Sequence, residues 1–197
     1  MKQKAAEVIS YVFMPTTFAL VAFVLLTYFT GQETNRLLIA GISVLFGTAI
    51  PFSYLFFLFR RQKVSDIDVP IREQRTIPYL VSVLFYFVGF LVLYILNASV
   101  SIYALMFCYA TNTFIISLIN TQWKISAHAM GAAGPLTVLA IVFGWKILPA
   151  FLLIIIVSWA RVELKAHTKA QVTAGALLGI FLTAVQVEAF YKFAGGR

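Results

Sequence analysis

The sequence predicts an all-α chain, a polytopic membrane helix bundle of six to seven transmembrane helices forming a single integral membrane domain over residues 1–197. Three observations carry that expectation. First, 61% of the residues are apolar, 11% are charged, and mean hydropathy is +0.93; a soluble domain has about 25% charged residues. Second, the apolar residues are grouped into runs of about 20, the length that crosses hydrocarbon as a helix, and no run alternates as a barrel strand does. Third, the basic residues gather in the short segments between runs. A soluble globular domain is excluded by the first observation, and a disordered chain by its low charge and high hydrophobicity. A single cysteine, Cys108, excludes an internal disulfide and any cysteine-cluster metal site.

The first run covers 11–30. Lys2 and Lys4 precede it as they would in a signal peptide, but no small-residue cleavage site follows, so a retained helix is expected. The second run, 37–59, contains Pro51, which is expected to kink it. Runs 77–96 and 100–120 are the third and fourth. Two shorter runs, 127–143 and 147–160, flank a turn at Gly144-Trp145-Lys146, and 172–190 is the seventh. Within the last, Gly175 and Gly179 form a small-xxx-small pair suited to packing inside the bundle or to a homodimer contact.

Threading the chain through seven spans puts the N-terminus and the segments after spans two, four and six on one face. That face holds eleven of the fifteen basic residues: Lys2, Lys4, Arg60, Arg61, Lys63, Arg72, Arg75, Lys124, Arg161, Lys165 and Lys169. Arg36, Lys146, Lys192 and Arg197 fall on the other. The excess of Lys and Arg in short loops makes the first face cytoplasmic, and the expected location is a bacterial plasma (inner) membrane. On so apolar a chain, a net charge of +8 points to topology or an anionic ligand rather than nucleic acid. The same face holds both histidines and five of the seven acids, Glu7, Asp66, Asp68, Glu73 and Glu163. Acids contribute little to orientation, so a polar site at the membrane edge is expected there.

Three clusters would build it. In 65–78, Arg72 and Arg75 are three apart, on one side of a helical turn, and a guanidinium fork suits phosphate oxygens. The bland alternative is a solvated loop that meets anionic headgroups nonspecifically. Asp66 and Asp68 are too few for a metal cage and are expected to pair with arginines. In 122–128, Ser126 occupies an N-cap position, and His128 follows in the first helical turn, where unpaired N–H groups favour an anion. Lys124 adds charge. In 161–171, Glu163, His167 and Gln171 recur every four residues, whereas Arg161 and His167 converge only if the chain turns between the sixth and seventh spans. The expected ligand is a phosphate or diphosphate at headgroup level, its lipid tail among the spans.

These residues resemble the type-2 phosphatidic acid phosphatase superfamily, whose motifs are Lys, six residues, Arg-Pro; then Pro-Ser-Gly-His; then Ser-Arg, five residues, His, three residues, Asp. Here the third reads Ala160-Arg161, five residues, His167, three residues, Gln171, and the second Ile125-Ser126-Ala127-His128. The first survives as Arg72 and Arg75 before Pro78, and the likeness spans a phosphatase-like core of about 60–190. The resemblance implies that His167 is the nucleophile, forming a phosphohistidine, and that His128 is the general acid. It implies that Arg161 and one or both of Arg72 and Arg75 hold phosphate, with a hydrogen bond from Ser126, and that no metal or cofactor is required. Two departures stand out. Gln171 replaces the Asp that orients and charges the nucleophile, a role Glu163 could take over. The motif-one Lys is missing, leaving Arg72 or Lys124 in its place.

Two other readings use the same residues. One is a non-catalytic lipid-phosphate binding or transport protein that keeps the anion pocket, motivated by Gln171. The other is a b-type haem held by His128 and His167, although the nearby arginines suit phosphate better. All readings that join the clusters require them on one side of the membrane. In a Cys108→Ala background, Lys63→Cys and Lys165→Cys should react with an impermeant maleimide from the same compartment; labelling from opposite compartments would refute the shared face.

Overall fold

The computed structural model describes residues 1–30 and 35–194; Arg197, assigned above to the far face, lies outside them. The described residues form helices and turns with no strand. Helix α1 spans Lys2–Val12, α2 Pro15–Phe29, α3 Arg36–Val44, α4 Ile50–Arg60, α5 Thr76–Ile95, α6 Val100–Asn120, α7 Ala127–Phe143, α8 Leu152–Glu163 and α9 Lys169–Phe193. Five continuous helical stretches are long and apolar enough to cross a membrane: Arg36–Arg60, Arg72–Ile95, Val100–Asn120, Ala127–Glu163 and Lys169–Phe193. The bent pair α1 and α2 makes a sixth when taken together.

The first expected run is corrected at its start. The helix beginning at residue 11 is instead broken before Pro15, which takes the first position of α2 where its missing N–H costs no bond. Met14 is extended, the conformation a following proline favours, and α1 turns away by 45° to pack on α8. The kink expected at Pro51 is a π-helical turn, Leu45–Ala49, joining α3 to α4. Pro51 has no N–H to bond the carbonyl of Gly47, and the ladder widens just ahead of it.

From Ala127 to Glu163 the helical bonding runs on through a 3-10 segment, Gly144–Phe151. Gly144, at φ 72°, reverses the chain in a conformation that L side chains rarely adopt. Consequently α7 and α8 lie side by side, and residues near the start of α7 and the end of α8 reach one another's neighbourhood. The turn read at 144–146 is therefore a true return.

Helix α7 is the centre of the bundle, with Ala129, Ala132 and Ala133 fully covered. Against it lies α9, and the contact explains the small-xxx-small pair. A Cβ on Gly175 would sit 2.5 Å from the Ser126 carbonyl oxygen, and one on Gly179 would sit 2.9 Å from the Met130 carbonyl oxygen. The pair is thus taken up by α7 within the chain and does not form a homodimer face. Outer faces of α5, α8 and α9 expose Leu84, Phe87, Ile155, Leu177 and Phe181, as apolar as the interior. Gly175→Ala should cost about 1–3 kcal/mol through overpacking, read as a lower unfolding midpoint in detergent; an unchanged midpoint would show that α7 and α9 are not in such close register.

Candidate active site

The starts of α5, α7 and α9, the ends of α1 and α8, and the loop 61–71 build the site. At the end of α8, the Lys165 N–H bonds the Val162 carbonyl (3.0 Å) and the Ala166 N–H bonds the Arg161 carbonyl (3.1 Å), while Lys165 adopts φ 52°. This left-handed termination is the turn that sequence spacing required. It carries His167 back beside Arg161 and delivers the chain into α9. Thr168 caps α9 in a reciprocal box, its hydroxyl accepting from Gln171 N–H and the Gln171 Oε1 accepting from Thr168 N–H at 3.1 Å. Glu163, His167 and Gln171 therefore do not share a helical face; Glu163 is exposed and outside the cavity described below.

That box fixes the state of His167. Because Gln171 Oε1 already accepts from a backbone N–H, it must accept from His167 Nδ1, 3.2 Å away. Nδ1 then carries the hydrogen and Nε2 keeps its lone pair. Burial first, and then the positive charges of Arg75, Arg161 and Lys124, push His167 down to about 3, against the hydrogen bond with Gln171. Its imidazole is neutral at physiological pH. Burial, Arg75 and Arg161 likewise hold Lys124 below the usual lysine range. Positive groups here outnumber the carboxylate of Asp68, an electrostatic setting that favours an anion.

Both key arginines are buried, Arg75 to 3% and Arg161 to 1% exposure. Arg75 donates through Nε to the Val69 carbonyl (2.7 Å) and through Nη1 to the Ile125 carbonyl (3.3 Å). Arg161 Nη1 bonds the Asp68 carboxylate and the Ser10 hydroxyl, the latter at 2.6 Å. Asp68 Oδ1 faces His128 Nε2 at 3.5 Å, too long for a hydrogen bond. Three buried polar atoms here have no hydrogen-bond partner: Arg161 Nε, His128 Nε2 and Asp68 Oδ1.

A cavity of about 180 Å³ opens from this cluster. Asp68, Arg75, His128 and His167 line its polar end. Away from them it follows Pro78, Tyr79, Ser82 and Tyr86 along α5, and Ile116, Asn112, Tyr109 and Leu105 along α6. Between Ile116 and Leu105 the helix rises about 16 Å at 1.5 Å per residue. The cavity is therefore polar at one end and mainly apolar for the rest of its length.

Of the residues singled out by sequence, Arg75, Arg161, His128 and His167 come together, with Gln171 behind His167. Ser126 caps α7, its hydroxyl accepting from Ala129 N–H at 3.3 Å, and its own N–H reaches the Gln171 carbonyl. Arg72 is not brought in: it donates to the Gln122 carbonyl at 2.8 Å and pairs with the adjacent Glu73, clamping the 3-10 turn Arg72–Arg75 to the loop before α7. Lys124 and Ser126 do not line the cavity. Asp68 does pair with an arginine, but with Arg161, 93 residues away, rather than the adjacent pair. Ser10 was missed, and nothing in the sequence marks it. No protein-family model, curated protein or solved structure matches the chain.

The His167 environment sets a pH dependence. Its folded-state value is depressed to about 3 from the ordinary 6.5, so the unfolded chain binds the extra proton first. The contribution to stability is present above the unfolded value and falls away as pH drops through the interval between the two. Thermal unfolding of wild type should therefore fall more steeply from pH 7 to pH 4 than that of His167→Asn; parallel curves would contradict a buried neutral imidazole.

Proposed function

We propose that this protein is a membrane lipid phosphatase, hydrolysing a phosphate monoester or diphosphate on a lipid without a metal and through a phosphohistidine intermediate. The observation that supports this most is the meeting of two buried arginines and two histidines, from distant stretches of chain, with Arg75 and both histidines at the polar end of a mainly apolar cavity and Arg161 just behind it. The cluster matches the headgroup phosphate, and the apolar length suits a lipid chain. Phosphatidate, phosphatidylglycerophosphate and isoprenyl diphosphates are the substrate classes it fits. In this reading α2, the α3–α4 pair, α5, α6, α7, α8 and α9 give seven crossings, with α7 and α8 crossing as a pair so that His128 and His167 return to one face. The eleven-residue basic face is cytoplasmic in a bacterial plasma membrane.

The chemistry divides among named atoms. Arg75 and Arg161 hold the phosphoryl oxygens and stabilise charge as it builds. Nε2 of neutral His167 attacks phosphorus, and the bond from phosphorus to the lipid oxygen breaks as His128 gives that oxygen a proton. Gln171 holds the Nδ1 hydrogen throughout. Water then gives its proton back to His128 and attacks the phosphohistidine, releasing inorganic phosphate and restoring His167.

One observation favours an alternative. Gln171 gives His167 a hydrogen bond but no charge, so the imidazole lacks the anionic partner that stabilises an imidazolium, and the chain would bind or move lipid phosphates without turnover. Phosphate release in chelator from a panel of the three lipid classes separates the readings. His167→Ala should reduce release at least about a thousand-fold. Full activity in that variant would refute the assignment. Binding with no release and no labelled protein intermediate would select the alternative.

A further inference from the structure

The loop carboxylate of Asp68 stands where the ligand of this site is needed. One oxygen is bonded to Arg161 Nη1 and lies 3.5 Å from the Ser10 hydroxyl; the other faces His128 Nε2. Asp68 lines the cavity while Arg161, behind it, does not. As the loop lies, an anion in the cavity meets Arg75, His128 and His167 but is screened from the most buried cation by a negative charge. Arg161 Nε and His128 Nε2 remain buried without hydrogen-bond partners; the first is a donor that a single carboxylate leaves unfilled and that a tetrahedral oxyanion with more oxygens could fill.

The loop holds Asp68 there by local bonds rather than by a regular element. The Asp68 N–H donates to Asp66 Oδ1 at 2.8 Å. The next residue, Val69, is β-branched yet adopts φ 44°, an outlier conformation for such a side chain. Its carbonyl is tied to Arg75 Nε. The segment is thus held in a strained conformation by the same charges that the ligand would engage, a pattern suited to a segment that changes state.

We infer that Asp68 is a resident anion in the phosphate seat, an affinity-setting residue that the phosphate of the substrate must displace from Arg161 and His128. The inference rests on reading the cluster as a phosphate site, although not on turnover. A seat occupied by its own carboxylate for nine-tenths of the time binds phosphate roughly ten-fold more weakly than an open one. Asp68→Asn keeps the shape and removes the charge. Asp68→Glu keeps the charge. Glu73→Gln removes a charge on the same face but outside the cavity.

The test uses the full chain in lipid nanodiscs, with inorganic phosphate as probe, its affinity read from dose-dependent thermal stabilisation. Asp68→Asn should bind phosphate roughly ten-fold more tightly than wild type, whereas Asp68→Glu and Glu73→Gln should stay within about two-fold of it, as expected for changes that leave the competitor in place. Weaker or unchanged binding in Asp68→Asn would overturn the inference, as would equal tightening in Glu73→Gln or no phosphate binding in any form. Lipid phosphatase activity, measured on the same samples, is a separate readout. Tightening without turnover leaves the inference standing and removes the enzyme reading; turnover without tightening does the reverse.

Discussion

Burying two guanidinium groups in a small volume is the constraint around which this molecule is arranged. A buried ion costs several kcal/mol unless it is paired and hydrogen-bonded, so each arginine recruits backbone and side chains from distant places. Arg75 takes the carbonyls of Val69 and Ile125, which ties the loop 61–71 to the segment before α7. Arg161 takes Asp68 and Ser10, which ties that loop and α1 to the end of α8. Removing either arginine would therefore loosen several connections at once. The cluster is held from all sides, and without a ligand the Asp68 carboxylate offsets part of its positive charge.

The two histidines are held by different means. His128 is placed by a helix start: Ser126 caps α7, and the ring follows within the first turn. His167 sits in a turn, where the left-handed Lys165 and the capping box of α9 leave little freedom. The amide of Gln171 serves helix capping and imidazole orientation with one oxygen. A carboxylate at this position could do both and add charge; the amide supplies only direction.

Much of this was legible in the chain. Apolar run lengths gave the helices, because hydrocarbon-length segments leave few other options. The spacing of Arg161 and His167 required a turn between them, and a left-handed cap supplies it. Less legible were features set by packing between distant segments. The break before Pro15 has a local signal, proline after an extended residue, that the long apolar run obscured. Ser10 lies in an unremarkable helix and matters only because α1 folds back onto α8. Arg72 and Arg75 look equivalent in sequence, yet one clamps a loop from outside while the other is buried; a 3-10 turn of four residues aims them differently. Asp68 was marked for an arginine, but which one depends on tertiary structure.

The close approach of α7 and α9 at Gly175 and Gly179 has a mechanical consequence. With Gly175 pressed on the Ser126 carbonyl and the Ser126 N–H bonded to the Gln171 carbonyl, these two helices behave as a single stator, with one imidazole at the start of each. Asp68 rides on a separate ribbon of chain. Displacing Asp68 from Arg161 then requires no change in the spacing of the two rings: the carboxylate belongs to the ribbon and the rings to the paired helices, as a shutter is separate from its aperture.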